Sequence, residues 1–436
     1  MIIHNKNKMN MHSSVYRKNE EYVKSKYCIE YVCDGVVLLY NFLTLGLISY
    51  KNEEFNDILE KLVELKYYVS IDYDESDDVE FVRKVHTETE INRLNGINSY
   101  VIMTTMDCNA KCYYCYEKDR KKIHMPQKIA EDTANYIIKH YHGTPFNLTM
   151  FGGEPLYNES VIDIVTQALK DNGCKYNTNI ISNGFLFDKS KLEKYKSLWR
   201  LRSVQITLDG IYEKYNNVKK INHDNAFGVV CDNINFLINN NIKVAIRLNV
   251  SHTNKNDLID VVTYLFNAFG KHKNLTIYTH EISDYLFFDD DKQEQTYNNI
   301  VEIDKKITEL FRVVKQKLPY KYKGKHCMAD GTGVCITPSG KITPCEHFSE
   351  SEYIGSIYND NFDIDVSREW IERVSKIKNL CDDCPLYPYC YKIKKCPGGS
   401  MCNKYIKDIM INKYIEDLKI KHEHIFKKYY SCECNK

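Results

Sequence analysis

The chain has 436 residues, with 60 Lys and Arg against 59 Asp and Glu, so its formal net charge is only +1. That balance excludes a global electrostatic attraction to nucleic acid or an anionic membrane. A hydrophobic share of 43% and a charged share of 27% fit a globular chain long enough for more than one domain.

The opening MIIHNKNKMNMHSS is polar, without a signal-peptide core, and residues 1–24 read as a polar extension. No apolar run reaches the ~20 residues of a spanning helix. A cytoplasmic protein with no nucleic-acid and no membrane partner is therefore expected. Residues 25–90 read as a small mixed domain. YCIEYVCDGVVLLYN gives strands around a turn at Asp34-Gly35, NEEFNDILEKLVEL has helical periodicity, KYYVSIDYD is a strand, and the acidic DESDDVE reads as the exit. Over 98–290, six strands alternate with amphipathic helices: SYVIMTTM, FNLTMFGGE, YNTNIISNG, SVQITLDG, KVAIRLNVSH and LTIYTHEI. Six β–α repeats predict an α/β fold with a parallel sheet, open or curled into a partial barrel, whose ligands sit at the carboxyl ends of the strands. A helical linker fills 291–326. A cysteine-rich stretch with little periodicity spans 327–405, and 406–436 is a helix and tail.

Cysteine is the oddity. Eleven of the 17 cysteines fall in two groups, Cys108 to Cys115 and Cys327 to Cys402. In a reducing compartment such grouping favours metal over disulfides. Cys108, Cys112 and Cys115 form CxxxCxxC after the first strand, with Tyr114 before the last cysteine. Three thiolates can hold three irons of a [4Fe–4S] cube and leave the fourth open. The pattern resembles the signature of the radical S-adenosylmethionine superfamily, whose open iron chelates S-adenosylmethionine and whose reduced cluster cleaves it to a 5′-deoxyadenosyl radical. The resemblance extends in chain order. Gly152, Gly153, Glu154 and Pro155 match the family's GGEP motif at the methionine amino group, and Ser182 and Asn183 match a polar pair near the ribose. Thr207 stands where the family often has Ser, next to the Asp209-Gly210 strand end. Asn249 and Val250 match a segment on the adenosine. Lys219 stands where an Arg is common, and loses that side chain's bidentate geometry.

The second group resembles the SPASM domain of peptide- and protein-modifying radical enzymes, with PSGKITPC followed by CDDCPLYPYC. The resemblance implies one auxiliary cluster on Cys327, Cys345 and Cys396 with Cys335, and another on Cys381, Cys384, Cys390 and Cys402. Together with the first site this makes three [4Fe–4S] clusters. If Cys335 is not a ligand, the first auxiliary cluster keeps an open iron for a substrate thiolate. Two zinc sites are the alternative for the same thiols. Residues 25–90 resemble the winged-helix-like domains that capture a leader peptide by strand addition; a structural cap on the barrel is the alternative.

These resemblances imply a fold made of a partial (β/α)6 TIM-like barrel between a leader-binding and an iron–sulfur domain. The implied partners are a precursor peptide with a leader sequence and an electron donor such as flavodoxin or ferredoxin. The leading expectation is thioether crosslinking from cysteine in that peptide. Glu346, beside Cys345, is a candidate base by position. The alternatives are a sulfatase-type maturase making formylglycine, and a radical peptide epimerase or carbon–carbon crosslinking enzyme.

Overall fold

The structure is a computed structural model; it describes residues 1–5, 15–91, 97–119, 121–282, 290–311, 317–319, 333–348, 350, 352–359, 380–390 and 402–431. The N-terminal module is built from β1 (Ile2–Asn5), β2 (Tyr22–Lys24), β3 (Cys28–Cys33), β4 (Val36–Asn41), β5 (Gly46–Lys51), α1 (Phe55–Glu64), β6 (Tyr68–Ser70) and α2 (Ser76–Ile91). The hairpin at Asp34-Gly35 forms as its sequence predicts, pairing Cys33 with Val36. Two details differ from expectation. The polar opening is not all extension, because Ile2 and Ile3 give β1 enough apolar surface to pair with β5. The acidic stretch, read as the exit of the module, is helical. It opens α2, where Asp77 and Asp78 fall in the first turn and favour the positive end of the helix dipole. The strands β1-β5-β4-β3 make one antiparallel sheet, and β2 pairs with β6 in a second.

The barrel module runs β7 (Ser99–Thr105), α3 (Gln127–Lys139), β8 (Phe146–Gly152), α4 (Glu159–Asp171), β9 (Tyr176–Ser182), β10 (Leu201–Thr207), α5 (Tyr212–Lys219), α6 (Ala226–Asn239), β11 (Lys243–Val250), α7 (Lys255–Phe269), β12 (Leu275–Glu281) and α8 (Asp290–Phe311). All six predicted strands are present, parallel, and consecutive in the sheet from β7 to β12. An order without reversal is TIM-like winding, whereas a doubly wound sheet reverses at a switch point. In β8 and β9 every second residue is buried. Leu148, Met150 and Ile180 thereby join the core with Ile137 of α3, Val165 of α4 and Ile234 of α6. The intervening residues, such as Thr149 and Asn179, face the other side of the sheet and are half-buried.

The cysteine-rich stretch contains β13 (Gly333–Ile336), β14 (Lys341–Thr343) and β15 (Gly355–Ser356), and α9 (Lys404–Ile425) follows. Here the sheet is larger than its repeats suggest. β13 adds in parallel to the free side of β7, pairing Cys335 with Val101, and β14 and β15 extend the same sheet. α9 closes the molecule: its Tyr414 and Leu418 pack with Ile29, Leu38 and Tyr40 of the N-terminal sheet and with Cys384 and Leu386.

Candidate active site

The carboxyl ends of β7 to β10 converge on the cysteine loop. β8 ends by binding the chain that leads into this loop. Gly153 N–H donates to Thr105 O at 3.0 Å, and Glu154 N–H to Asp107 O at 2.9 Å. The approach requires glycine. Gly152 has φ +127°, and a Cβ on it would lie 1.9 Å from Thr105 O; a Cβ on Gly153 would lie 2.3 Å from Asp107 O. Pro155 is buried and its carbonyl accepts from Thr104 Oγ1 at 3.0 Å.

Glu154 is 0% exposed. Its carboxylate accepts from Ser182 Oγ at 2.9 and 3.1 Å, from Asn183 N–H at 2.7 Å and from Leu156 N–H at 3.2 Å. Burial outweighs these donors and pushes its pKa up to about 7. Asn183 also reaches the cysteine loop, its Nδ2 lying 2.7 Å from Asn109 Oδ1 and 3.8 Å from Cys108 Sγ. The predicted pair Ser182 and Asn183 thus bridges Glu154 and Cys108.

Cys108, Cys112 and Cys115 are free, half-buried thiols. Burial, with Glu154, Cys112 and Cys115 nearby, pushes the Cys108 thiol up to about 12; Ala110 N–H, donating to its sulfur at 3.3 Å, works the other way. Burial raises Cys115 as well. A metal must displace these protons to bind. On the far side of the loop, Lys219 and Asp209 are each 3% exposed and form an ion pair at 2.7 Å. Tyr114 O–H donates to the same Asp209 oxygen at 2.5 Å and accepts from Lys219 Nζ at 2.9 Å. Burial opposes the Lys219 charge, but Asp209, Tyr114 and Cys112 more than offset it, so its pKa is well above the ordinary value. Two buried atoms here, Asp209 Oδ1 and Asn109 Nδ2, have no hydrogen-bond partner among the described residues.

Thr207 ends β10 level with Arg247 of β11. Asn249 is buried and its Oδ1 accepts from Arg247 Nε at 2.9 Å, whereas Val250 lies in the core beneath the helices. Arg247, whose Nη2 lies 3.0 Å from His280 Nδ1, was not singled out by the motif pattern. Its place opposite Thr207 follows only from the strand register.

Cys335 and Cys345 come together. Cys335 is fully buried, and burial, Glu346, Cys345 and Glu117 raise its thiol well above the ordinary value, against a hydrogen bond with Thr343. The ring of Tyr116, beside Cys115, packs 4.9 Å from that of His347, two residues past Cys345, so this pair adjoins the first cysteine loop. Glu346 Oε2 is buried with no hydrogen-bond partner among the described residues. Farther along, Cys381, Cys384 and Cys390 share one turn, and Cys402 stands just before α9. Burial pushes the Cys384 thiol up to about 11; Cys390 and Cys402 nearby add to the rise, while Leu386 N–H and Lys407 oppose it. Cys327 and Cys396 lie outside the described residues.

Residues 102–265 match the Radical SAM superfamily. That stretch is a radical SAM domain. It is 22% identical over 312 residues to the antilisterial bacteriocin subtilosin biosynthesis protein AlbA of Bacillus subtilis, covering 66% of this chain and 64% of that one. It is 27% identical over 279 residues to an uncharacterized protein of Methanocaldococcus jannaschii, covering 62% of this chain and 91% of that one. Its fold is similar to native anSMEcpe with bound AdoMet (TM-score 0.57, 15% identity, 76% of this chain and 99% of that one). It is also similar to Streptococcus suis SuiB bound to S-adenosylmethionine (TM-score 0.51, 15% identity, 88% of this chain and 99% of that one). No helix among the described residues is long and apolar enough to cross a membrane.

Proposed function

We propose that this chain modifies a ribosomally made precursor peptide, forming intramolecular thioether crosslinks from cysteine, and that it holds three [4Fe–4S] clusters. The observation that carries the reading is the contact between its two cysteine regions. β13 pairs directly with β7, and Tyr116 meets His347. A second redox centre beside the first is what an oxidative crosslink needs, because joining S–H to C–H removes two electrons in all. The subtilosin protein, a bacteriocin biosynthesis protein by name, is a relative consistent with that class.

The residues fit the groups assigned to them. Cys108, Cys112 and Cys115 are free thiols on one loop, and Cys112 lies close enough to both others to add to the rise in their pKa, beside two orphaned buried polar atoms. Among the described residues no three Cys, His, Asp or Glu side chains converge on a single metal ion, and a cube, which gives each thiolate its own iron, does not ask for that convergence. A cluster held there with S-adenosylmethionine would supply the radical chemistry for hydrogen abstraction from the acceptor carbon. Glu154 accepts the cosubstrate's ammonium while Gly152 and Gly153 allow close backbone approach. Ser182 and Asn183 hold Glu154 in place and reach the ribose, Thr207 offers a hydroxyl to the carboxylate, and Asn249 borders the adenosine. Glu346 takes the substrate thiol's proton. Cys335 and Cys345, with Cys327 and Cys396, hold one auxiliary cluster; Cys381, Cys384, Cys390 and Cys402 hold the other. The N-terminal sheets receive the leader peptide by strand addition, and an electron donor such as flavodoxin or ferredoxin reduces the first cluster.

The test is a mass. The chain is co-expressed without oxygen with a short cysteine-containing peptide encoded beside its gene, and the product is reduced, alkylated and fragmented. A loss of two hydrogens per crosslink, at cysteines that resist alkylation, is the expected result. An unchanged mass in a sample that cleaves S-adenosylmethionine rules crosslinking out and points to epimerisation or to a protein substrate of the sulfatase type.

A further inference from the structure

We propose that Lys219 is a positioning residue for the cysteine loop and not a contact to the cosubstrate: with Asp209 and Tyr114 it clamps the loop on both sides of Cys112. The inference rests on the assignment of Cys108, Cys112 and Cys115 to a cluster, and it departs from the role that Lys219 takes by resemblance. The first hold is through the backbone. Lys219 ends α5, where a helix leaves its last carbonyls without intrahelical donors. Its carbonyl accepts from Lys111 N–H at 2.7 Å, one residue before Cys112. The second hold is through the side chain. Lys219 Nζ donates to Tyr114 O–H at 2.9 Å, two residues after Cys112, and pairs with Asp209 at 2.7 Å.

The ammonium is 3% exposed, and two of its three donor directions are taken within the protein. A lysine committed in this way is a strut. The same Asp209 oxygen receives the Tyr114 hydroxyl, so the three side chains close a ring that joins the cysteine loop to the end of β10 and to α5. Asp209 itself is fixed by the end of β10, and Lys219 by α5 packed through Tyr215 into the core. The clamp therefore ties the loop to the body of the barrel. It sets how readily the loop takes up iron and how long it keeps it.

Two measurements on the full chain test this. In metal-free protein, iodoacetamide labelling followed by digestion and mass analysis reads the alkylation rate of each cysteine. Tyr114→Phe removes one hydroxyl, and should speed labelling of Cys112 and Cys115 about tenfold, as loss of a hydrogen bond to a charged group predicts. Cys231, buried in the core, should stay slow and serves as the control for folding. Lys219→Met leaves Asp209 buried and unpaired, so Lys219→Met/Asp209→Asn is made beside it and should match the effect of Tyr114→Phe. In protein reconstituted with iron and sulfide, both variants should lose iron to a chelator about tenfold faster, while retained clusters still show the wild-type change in electron paramagnetic resonance on adding S-adenosylmethionine. Wild-type labelling and iron loss, together with disappearance of that spectroscopic change, would overturn the clamp and return Lys219 to the cosubstrate. If wild-type protein takes up no iron, the cluster assignment fails, and the labelling arm still decides the clamp.

Discussion

At the scale of single residues, the site is governed by what burial does to charge. Glu154 has a carboxyl pKa of about 7 against an ordinary 4.5, so the folded state holds its proton more tightly than the unfolded chain. For a group raised on folding, the stabilisation is complete below the unfolded value and is lost as pH rises through the folded one. Between about pH 4.5 and 7 the metal-free protein should lose on the order of 3 kcal/mol through this group alone. Glu154→Gln keeps an acceptor and removes the titration. Urea midpoints measured across that range should converge towards low pH and separate at high pH, with the variant the more stable. Parallel profiles would show that Glu154 does not carry the effect. The neighbouring glycine makes a steric prediction. Gly153→Ala pushes a methyl into Asp107 O, which must move and take Cys108 with it. The variant should fold with a loss of about 1–3 kcal/mol and retain little iron after reconstitution, read by metal analysis.

At the scale of elements, α9 is where the packing argument is sharpest. Leu418 is fully buried between the N-terminal sheet and the turn carrying Cys384, so Leu418→Ala opens a cavity that three separate segments line. The expected cost is about 2–5 kcal/mol, read as a shift of the urea midpoint with little change in slope. α9 is also instructive about what a sequence displays. The six barrel strands were legible because they are short apolar runs between amphipathic helices, with alternate residues buried in β8 and β9, and the period-two and period-3.6 patterns survive in the text of the chain. The glycines of β8 were legible because a motif marks them. α5 was not predicted: YEKYNNVK is mostly polar and is held by Tyr215 and by Lys219, whose partners lie ten and more than one hundred positions away. β13 escaped for a similar reason. GVCI is a short apolar run whose strand character comes from the free edge of β7, over two hundred residues earlier. The Arg247–His280 contact exists only because β11 and β12 are in one particular register.

At the scale of the molecule, the N-terminal module does more than lie beside the barrel. Its sheet shares a core with α9, and Arg83 of α2 reaches the second cysteine turn. The Arg83 guanidinium lies 4.6 Å from the centre of the Tyr387 ring. Its Nη1 donates to the carbonyls of Tyr387 and Cys390, each at 2.9 Å. A turn carrying three cysteines has little apolar surface of its own to fix it, so a charged donor on two loop carbonyls three residues apart is a large part of its definition. Hydrogen bonds of this kind contribute about 1.5–3 kcal/mol each. Arg83→Met keeps the stem packed on Tyr387 and removes both bonds. The prediction is selective. On the proposed cluster assignment, iron at the Cys381–Cys390 turn should become more easily chelated, while the site of Cys108, Cys112 and Cys115 keeps its iron and its response to S-adenosylmethionine. Metal analysis after timed chelation, with electron paramagnetic resonance of the iron that remains, separates the two populations. Uniform loss from all sites would mean that Arg83 supports the fold as a whole. No loss at all would mean that the turn is fixed from the barrel side, and that the N-terminal module is free of the metal chemistry.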